Sequence, residues 1–364
     1  MGNSSSAAAG SHPAASSRNV IGIDIGDKLC ELAMIDAADQ VSHATVKCSK
    51  QAMRDFFSGM PSARVILEAS THSGWLSRAL EALGHEVIVA NPRRVKAISD
   101  NRRKNDRNDA LTLAWLGKAS PKLLHPIQHR SEQAQQGLAL LRSRDALVRS
   151  RTLLINAARG LAKTLDCRLP ACDAGVFEKH ARSVVEPFPE VAAAILPLIE
   201  STSDLTQRIR RLDGCIEALC ESVPATRQVR QVKGVGAITA LCFVLTLDDP
   251  KRFKRSRDVG AYLGLVPAQK QSGSFDPQLP ISKEGDGMLR RLLVGSAQWI
   301  MMKRRPDTGL KRFGLKISGK TSKGAKKKAA VAVARKLAVL LHRLWVTGQE
   351  YEPQRGCEAL QLQS

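Results

Sequence analysis

Four carboxylates in the first third of the chain have the types and spacing that metal-assisted phosphoryl transfer needs. Asp24 lies in Gly22-Ile23-Asp24-Ile25-Gly26, within an apolar, β-branched run, where a charged group is costly unless it is paired or metal-bound. Glu68 closes the run Val65-Ile66-Leu67, and Asp106 and Asp109 stand three apart in Asn105-Asp106-Arg107-Asn108-Asp109. At a helix start that spacing puts both on one face. Converged, the four suit two Mg²⁺ ions, hard cations that prefer carboxylate oxygens and keep several waters. Two such ions roughly 3.5 to 4 Å apart stabilise the attacking and leaving oxygens of a displacement at phosphorus. Taken singly, Glu68 also suits a strand end and Asp106 a helix cap; their combination with Asp24 points to the metal.

The elements around these residues follow from hydrophobic period and turn signals. Val20 to Ile25, Glu31 to Ile35 and Val41 to Val46 read as three antiparallel strands at hairpin distances. A helix over Gln51 to Ser58, a buried strand at Val65 to Leu67, a helix from Trp75 to Leu83 stopped by Gly84 and a strand at Val87 to Val89 follow. The order βββαβαβα is the ribonuclease H pattern, an α/β domain with a mixed sheet and flanking helices over residues 19 to 130. From Ser131 to about Leu165, Leu138, Leu141, Leu147, Leu154, Ala158 and Leu161 recur at helical spacing, with Arg142, Arg144, Arg149 and Arg151 between them. After a break near Pro170 to Gly175, helical sequence continues to Glu221, so 131 to 222 is a helical, coiled-coil-like arm. Its apolar stripe fits an oligomer interface or packing on its own domain equally well. Residues 223 to 346 form a mostly helical C-terminal domain. Residues 1 to 18, rich in Ser, Ala and Gly, read as a disordered tail without signal-peptide character, and 347 to 364 as a flexible one. The apolar stretch Ala329 to Trp345 is interrupted by Arg335, Lys336, His342 and Arg343, which suits an amphipathic helix and not a membrane span.

Charge identifies the class of partner. The 364 residues hold 56 Lys plus Arg against 34 Asp plus Glu, a net charge of +22, which points to a polyanion, nucleic acid above all. Lys251 to Arg343 alone holds 23 basic and 5 acidic residues, making it the expected phosphate-binding surface. A second basic cluster, Arg93, Arg94, Lys96, Arg102, Arg103, Lys104 and Arg107, flanks the two late aspartates. Aromatics at 4% leave little room for base stacking. The eight cysteines form no Cys-x-x-Cys pair, so reduced, mostly buried thiols in a cytoplasmic protein are expected. Val232 to Ala240 carries Lys233-Gly234-Val235-Gly236, readable as the hairpin of a helix-hairpin-helix that brings backbone N–H groups to a DNA phosphate, or as a plain interhelical turn. The missing third glycine argues against a dinucleotide fingerprint.

With Gly-Ile-Asp24-Ile-Gly, Leu-Glu68-Ala-Ser and Asp106-Arg-Asn-Asp109-Ala in this order, the chain resembles a family of insertion-sequence transposases over about Val20 to Trp345. These carry a RuvC-like N-terminal domain with an Asp, Glu, Asp, Asp tetrad and a C-terminal domain with a serine. The strongest signature is Asp258-Val-Gly-Ala-Tyr-Leu-Gly-Leu-Val-Pro267, then Gln271-Ser272-Gly273-Ser274, then Ile281-Ser-Lys283-Glu-Gly285-Asp-Gly-Met-Leu-Arg290-Arg291. The resemblance implies that Ser272 is the nucleophile, forming a 5′-phosphoserine link to DNA. Many relatives have two serines before two glycines here, so Ser274 competes with it. It also implies donor and target DNA, an element-encoded bridge RNA as guide, a dimer or tetramer sharing the site between subunits, and a bacterial, nucleoid-associated setting. Lys270, Lys283, Arg290 and Arg291 suit the transferring phosphate. Lys316 to Lys328 reads as a Lys-rich loop, with Lys320, Lys323, Lys326, Lys327 and Lys328 clamping the backbone.

Three rivals share parts of this pattern. A junction-resolving nuclease of the RuvC kind needs the tetrad but only water as nucleophile, and a non-catalytic nucleic-acid-binding protein needs the charge alone. A sugar kinase or actin-like ATPase shares the Gly-Ile-Asp-Ile-Gly motif but needs a second Gly-rich phosphate loop and a duplicated domain, and the sequence offers neither.

Overall fold

In the computed structural model, residues 18–92, 105–269, 279–319 and 322–354 are described. The chain divides into two units, Met1–His129 and Arg130–Ser364. In the first, β1 (Val20–Ile25), β2 (Leu29–Ile35), β3 (Val41–Lys47), β4 (Arg64–Glu68) and β5 (Glu86–Ala90) form one sheet in the order β3-β2-β1-β4-β5. The β1–β2 and β2–β3 pairs are antiparallel and the β1–β4 and β4–β5 pairs parallel. This is the mixed ribonuclease H-like sheet that the order of elements predicts; β1 has the expected bounds and the other four strands are one or two residues longer than expected.

Strand alternation sorts the two faces of β1. Ile21 and Ile23 pack with Met53 and Phe57 of α1 (Lys50–Phe57) and with Leu76 and Leu80 of α2 (Ser73–Ala82). Val20, Gly22 and Asp24 take the other face, where Val20 meets Leu113 and Ala114 of α3 (Asp106–Ala119). Gly22 lets that helix come close: a Cβ there would stand 2.0 Å from the carbonyl oxygen of Ala110 and 2.6 Å from the amide nitrogen of Ala114. Gly22→Ala is therefore expected to cost at least ~3 kcal/mol of stability, the upper range for overpacking because the obstacle is backbone. A urea midpoint within experimental error of wild type would show that α3 can yield.

The second unit is helical. Its arm consists of α4 (Glu132–Thr164), α5 (Phe177–Val185) and α6 (Pro189–Ser222). Arg144 pairs with Asp213 at 2.8 Å and Arg151 donates to Thr206 Oγ1 at 3.1 Å, so the two long helices run antiparallel. The arm's root enters the main core, where Leu138, Leu141, Ile216 and Cys220 join Phe243, Leu263, Leu293 and Leu341. Its tip has a separate core of Ile155, Ala158, Phe177, Ala181, Val185, Ile195 and Ile199. The remaining helices are α7 (Pro224–Arg230), α8 (Ala237–Leu247), α9 (Asp258–Tyr262), α10 (Gly287–Met301), α11 (Gly309–Ser318) and α12 (Lys323–Thr347).

One expectation is corrected here. Most of Lys316 to Lys328 is helix and not loop: α11 runs to Ser318, and α12 starts at Lys323 with Ser322 Oγ accepting from the Ala325 amide. A Ser cap followed by Ala and Lys, both good helix formers, favours the helix over the solvated loop that the charge suggests. No helix among the described residues is long and apolar enough to cross a membrane.

Candidate functional site

The four predicted carboxylates come from three elements at one end of the sheet. Asp24 lies on β1 in parallel register with β4, where Ile23 stands beside Leu67, and the next step along both strands sets Asp24 beside Glu68. Asp106 and Asp109 occupy the first turn of α3, a favoured place for acids because the helix dipole is positive there. Asn105 caps that turn, its side chain accepting from the Arg107 amide at 3.2 Å and its carbonyl from the Asp109 amide at 3.0 Å. The tight approach at Gly22, two residues before Asp24 on the same face, brings this turn over the strand.

Electrostatics reports the convergence. Burial first, then the charges of Asp106, Asp109 and Glu68, push the Asp24 carboxyl from its ordinary 3.8 up to about 6, against a smaller opposing pull from the Ile25 backbone. All three other acids act on Asp24. Among the described residues, no three His, Cys, Asp or Glu side chains stand in ready ligand geometry for an ion; the four carboxylates are linked by the action of three of them on Asp24. An all-oxygen donor set with excess negative charge and a half-buried member fits a hard dication such as Mg²⁺.

Sequence reading missed the neighbours of this cluster. Glu31 stands opposite Asp24 on β2 and Thr45 opposite Glu31 on β3. Thr45 Oγ1 donates to Glu31 Oε1 at 2.8 Å, and Arg107 Nε lies 3.5 Å from Glu31 Oε2. Just beyond Asp24 and Glu68, Trp75 Nε1 of α2 donates to His72 Nδ1 at 3.2 Å, and His72 Nε2 faces Asp27 Oδ1 at 3.4 Å. The signal for Glu31 was the hairpin register, which fixes facing pairs once the turn between β1 and β2 is placed.

In the second unit, Gly234 takes a left-handed φ of 101° in the turn before α8 and packs under Trp299, while Gly236 caps α8 with open space around it and Lys233 is exposed. Val266 to Ala268 and Pro280 to Ser282 form a short antiparallel ladder: Ala268 N donates to Pro280 O and Ser282 N to Val266 O, each at 2.9 Å. Lys283, exposed and left-handed with φ 56°, follows at its base. Non-glycine residues hold that conformation at a cost, usually where the surroundings impose it. Arg290 donates to the carbonyls of Leu263 and Glu284, and Arg291 makes two bonds to Asp145 at 3.0 and 3.1 Å. Both guanidiniums thus have partners within the protein. Lys326, Lys327 and Lys328 are exposed at the start of α12, where Lys323 is the first residue. Arg93, Arg94, Lys96, Arg102, Arg103, Lys104, Lys270, Ser272, Ser274 and Lys320 lie outside the described residues, as do the first 17 residues and the last ten.

Comparison with known proteins covers both units. The model described as "Transposase IS116/IS110/IS902 family" matches residues 226–312, and the model of the DEDD transposase of the IS110 type matches residues 21–165, a span that holds all four carboxylates. The y4pF/y4sB protein of Sinorhizobium fredii, which carries a transposase name, is 30% identical over 345 residues, 92% of this chain and 86% of that protein. The transposase for insertion sequence element IS1111A of Coxiella burnetii is 28% identical over 350 residues, 91% of each chain. That for IS1328 of Yersinia enterocolitica is 27% identical over 327 residues, covering 88% of this chain and 94% of its own length.

Proposed function

The chain belongs to the IS116/IS110/IS902 family of insertion-sequence transposases, and from that premise we propose that Asp24, Glu68, Asp106 and Asp109 hold two Mg²⁺ ions at which DNA is cut and rejoined through a nucleophilic Ser272. The observation that carries the proposal is the joint action of the three other carboxylates on Asp24. Three like charges gathered around a half-buried acid are a standing cost to the empty site, which a bound cation would offset. Bound there, the ions would stabilise charge on the transferring phosphate and ease proton loss from the attacking hydroxyl.

The Ser272 hydroxyl loses its proton to solvent as Oγ bonds to phosphorus and the P–O3′ bond breaks, leaving a 5′-phosphoserine and a 3′ oxygen that takes up a proton. The 3′ hydroxyl of the strand to be joined then attacks the phosphoserine, and the serine oxygen leaves and is reprotonated. The ladder from Val266 to Ser282 holds together the two ends of the segment that carries Ser272 and Ser274. Lys283 at its base and Lys270 within that segment supply cations for the phosphate. Lys233, Gly234 and Gly236, together with Lys320, Lys323, Lys326, Lys327 and Lys328, contact the DNA or RNA backbone. The basic residues Arg93, Arg94, Arg102, Arg103 and Lys104 do so beside the tetrad. Guidance by a bridge RNA, with base pairing carrying the sequence specificity, and assembly as a dimer or tetramer complete the reading.

The test mixes the protein, RNA transcribed from the flanking element, donor DNA, target DNA and Mg²⁺, then maps covalently attached DNA in denatured protein by mass spectrometry. Attachment at Ser272 is the expected result. Attachment at Ser274 moves the nucleophile by two residues, and joined DNA with no adduct at either position overturns the serine step.

A further inference from the structure

We propose that Glu31 is a positioning residue that holds Arg107 off the carboxylate cluster and so keeps the cluster open to a divalent cation. The inference rests on the reading of the four acids as metal ligands and concerns a residue outside that set. Three facing positions run across the sheet, Asp24 on β1, Glu31 on β2 and Thr45 on β3, so their side chains share the face that α3 covers. A fifth carboxylate beside four others adds repulsion unless its charge is directed elsewhere. It is: Glu31 Oε1 accepts from Thr45, and Oε2 is buried, has no hydrogen bond, and faces the Arg107 guanidinium at 3.5 Å. Asp106, Asp109 and Glu68 are the acids that act most strongly on Asp24.

Arg107 is the cation best placed to spoil the site. It sits between Asp106 and Asp109 in the first turn of α3, where the helix dipole disfavours positive charge, and most of its side chain is exposed. Released from Glu31, its guanidinium would find the strongest anion within reach, and the four carboxylates are that anion. It would then occupy as an internal counter-ion the space a dication needs. Glu31, itself held by Thr45, prevents this by pairing with the guanidinium at β2.

Mn²⁺ binding to the full-length protein without nucleic acid tests this, read by electron paramagnetic resonance of free Mn²⁺, with thermal unfolding as the check of folding. Wild type is expected to bind and Asp24→Asn to bind at least ~10-fold more weakly; equal binding by the two overturns the metal reading and the inference with it. With that difference in hand, Glu31→Gln is expected to weaken Mn²⁺ binding ~10- to 100-fold, the usual range for residues that orient ligands. Arg107→Gln alone is expected to bind at least as tightly as wild type, and Glu31→Gln with Arg107→Gln to recover most of the lost affinity. Undiminished binding by Glu31→Gln overturns the proposal. So does a double variant as weak as Glu31→Gln, because Glu31 would then act as a ligand or a fold element and not through Arg107.

Discussion

Asp24→Asn is expected to lower Mg²⁺-dependent DNA cleavage at least ~10³-fold, the scale of losing several kcal/mol of charge stabilisation at phosphorus, while making the metal-free protein more stable at neutral pH. The second effect follows from linkage. The folded-state carboxyl titrates at about 6 against an ordinary 3.8, so the folded protein holds this proton more tightly than the unfolded chain does. The stability this confers is complete below the ordinary value and is lost as pH rises through about 6. At pH 7.5 Asp24 is ionised among its like-charged neighbours, and Asn removes that penalty. The full shift corresponds to about 3 kcal/mol; with the group half exposed and screened, on the order of 1 kcal/mol is expected, a rise of roughly 2 to 4 °C in Tm. Melts in EDTA should show a gap between variant and wild type at pH 7.5 that closes toward pH 4. A variant melting below wild type at pH 7.5 would mean that Asp24 is a structural acid. Nucleic-acid binding should survive, because it depends on the basic surfaces.

Ser272→Ala is expected to reduce strand exchange and the covalent adduct to background while leaving Mn²⁺ affinity and the pH dependence of stability unchanged. Alanine removes the hydroxyl proposed to form the phosphoserine bond and leaves the flanking ladder, which is built from backbone bonds between Val266, Ala268, Pro280 and Ser282. The informative comparison is with Ser274→Ala: if Ser272 is the nucleophile, the Ser274 variant keeps the adduct. DNA cleavage undiminished in Ser272→Ala would assign the attack to water and make the enzyme a nuclease of the junction-resolving kind, with the tetrad intact and the serine incidental.

The strands and helices of the first unit were legible because each carries a short-range pattern. A β-branched run marks Val20 to Ile25, Gly84 stops α2, and an Asn-Asp pair opens α3. Of the carboxylates, Asp24 stood out as an acid inside an apolar strand, while Glu68, Asp106 and Asp109 fit ordinary local roles and drew notice through their combination with it. Glu31 was hidden because nothing local distinguishes it: its meaning comes from facing Asp24 across the β1–β2 pair and from meeting Arg107, 76 positions away in the chain. The lysines in the first turns of α12 misled because charge and glycine suggest solvent, while capping and propensity favour helix. Packing gives Arg290 and Arg291 partners that their sequence does not announce, the carbonyls of Leu263 and Glu284 and the carboxylate of Asp145. The break between α6 and α7 was legible in part, since Pro224 starts a new helix where Val223 turns extended.

The arm has two hydrophobic cores, at its root and at its tip, joined by a polar middle where Arg144 meets Asp213 and Arg151 meets Thr206. Cooperativity does not pass easily through such a middle, since contiguous apolar packing is what couples one stretch of helix to the next. The connection around Cys167 to Val176 and the short α5 are therefore expected to exchange amide hydrogens sooner than the root of the arm. The far end is free to vary in length or conformation while the body keeps its fold.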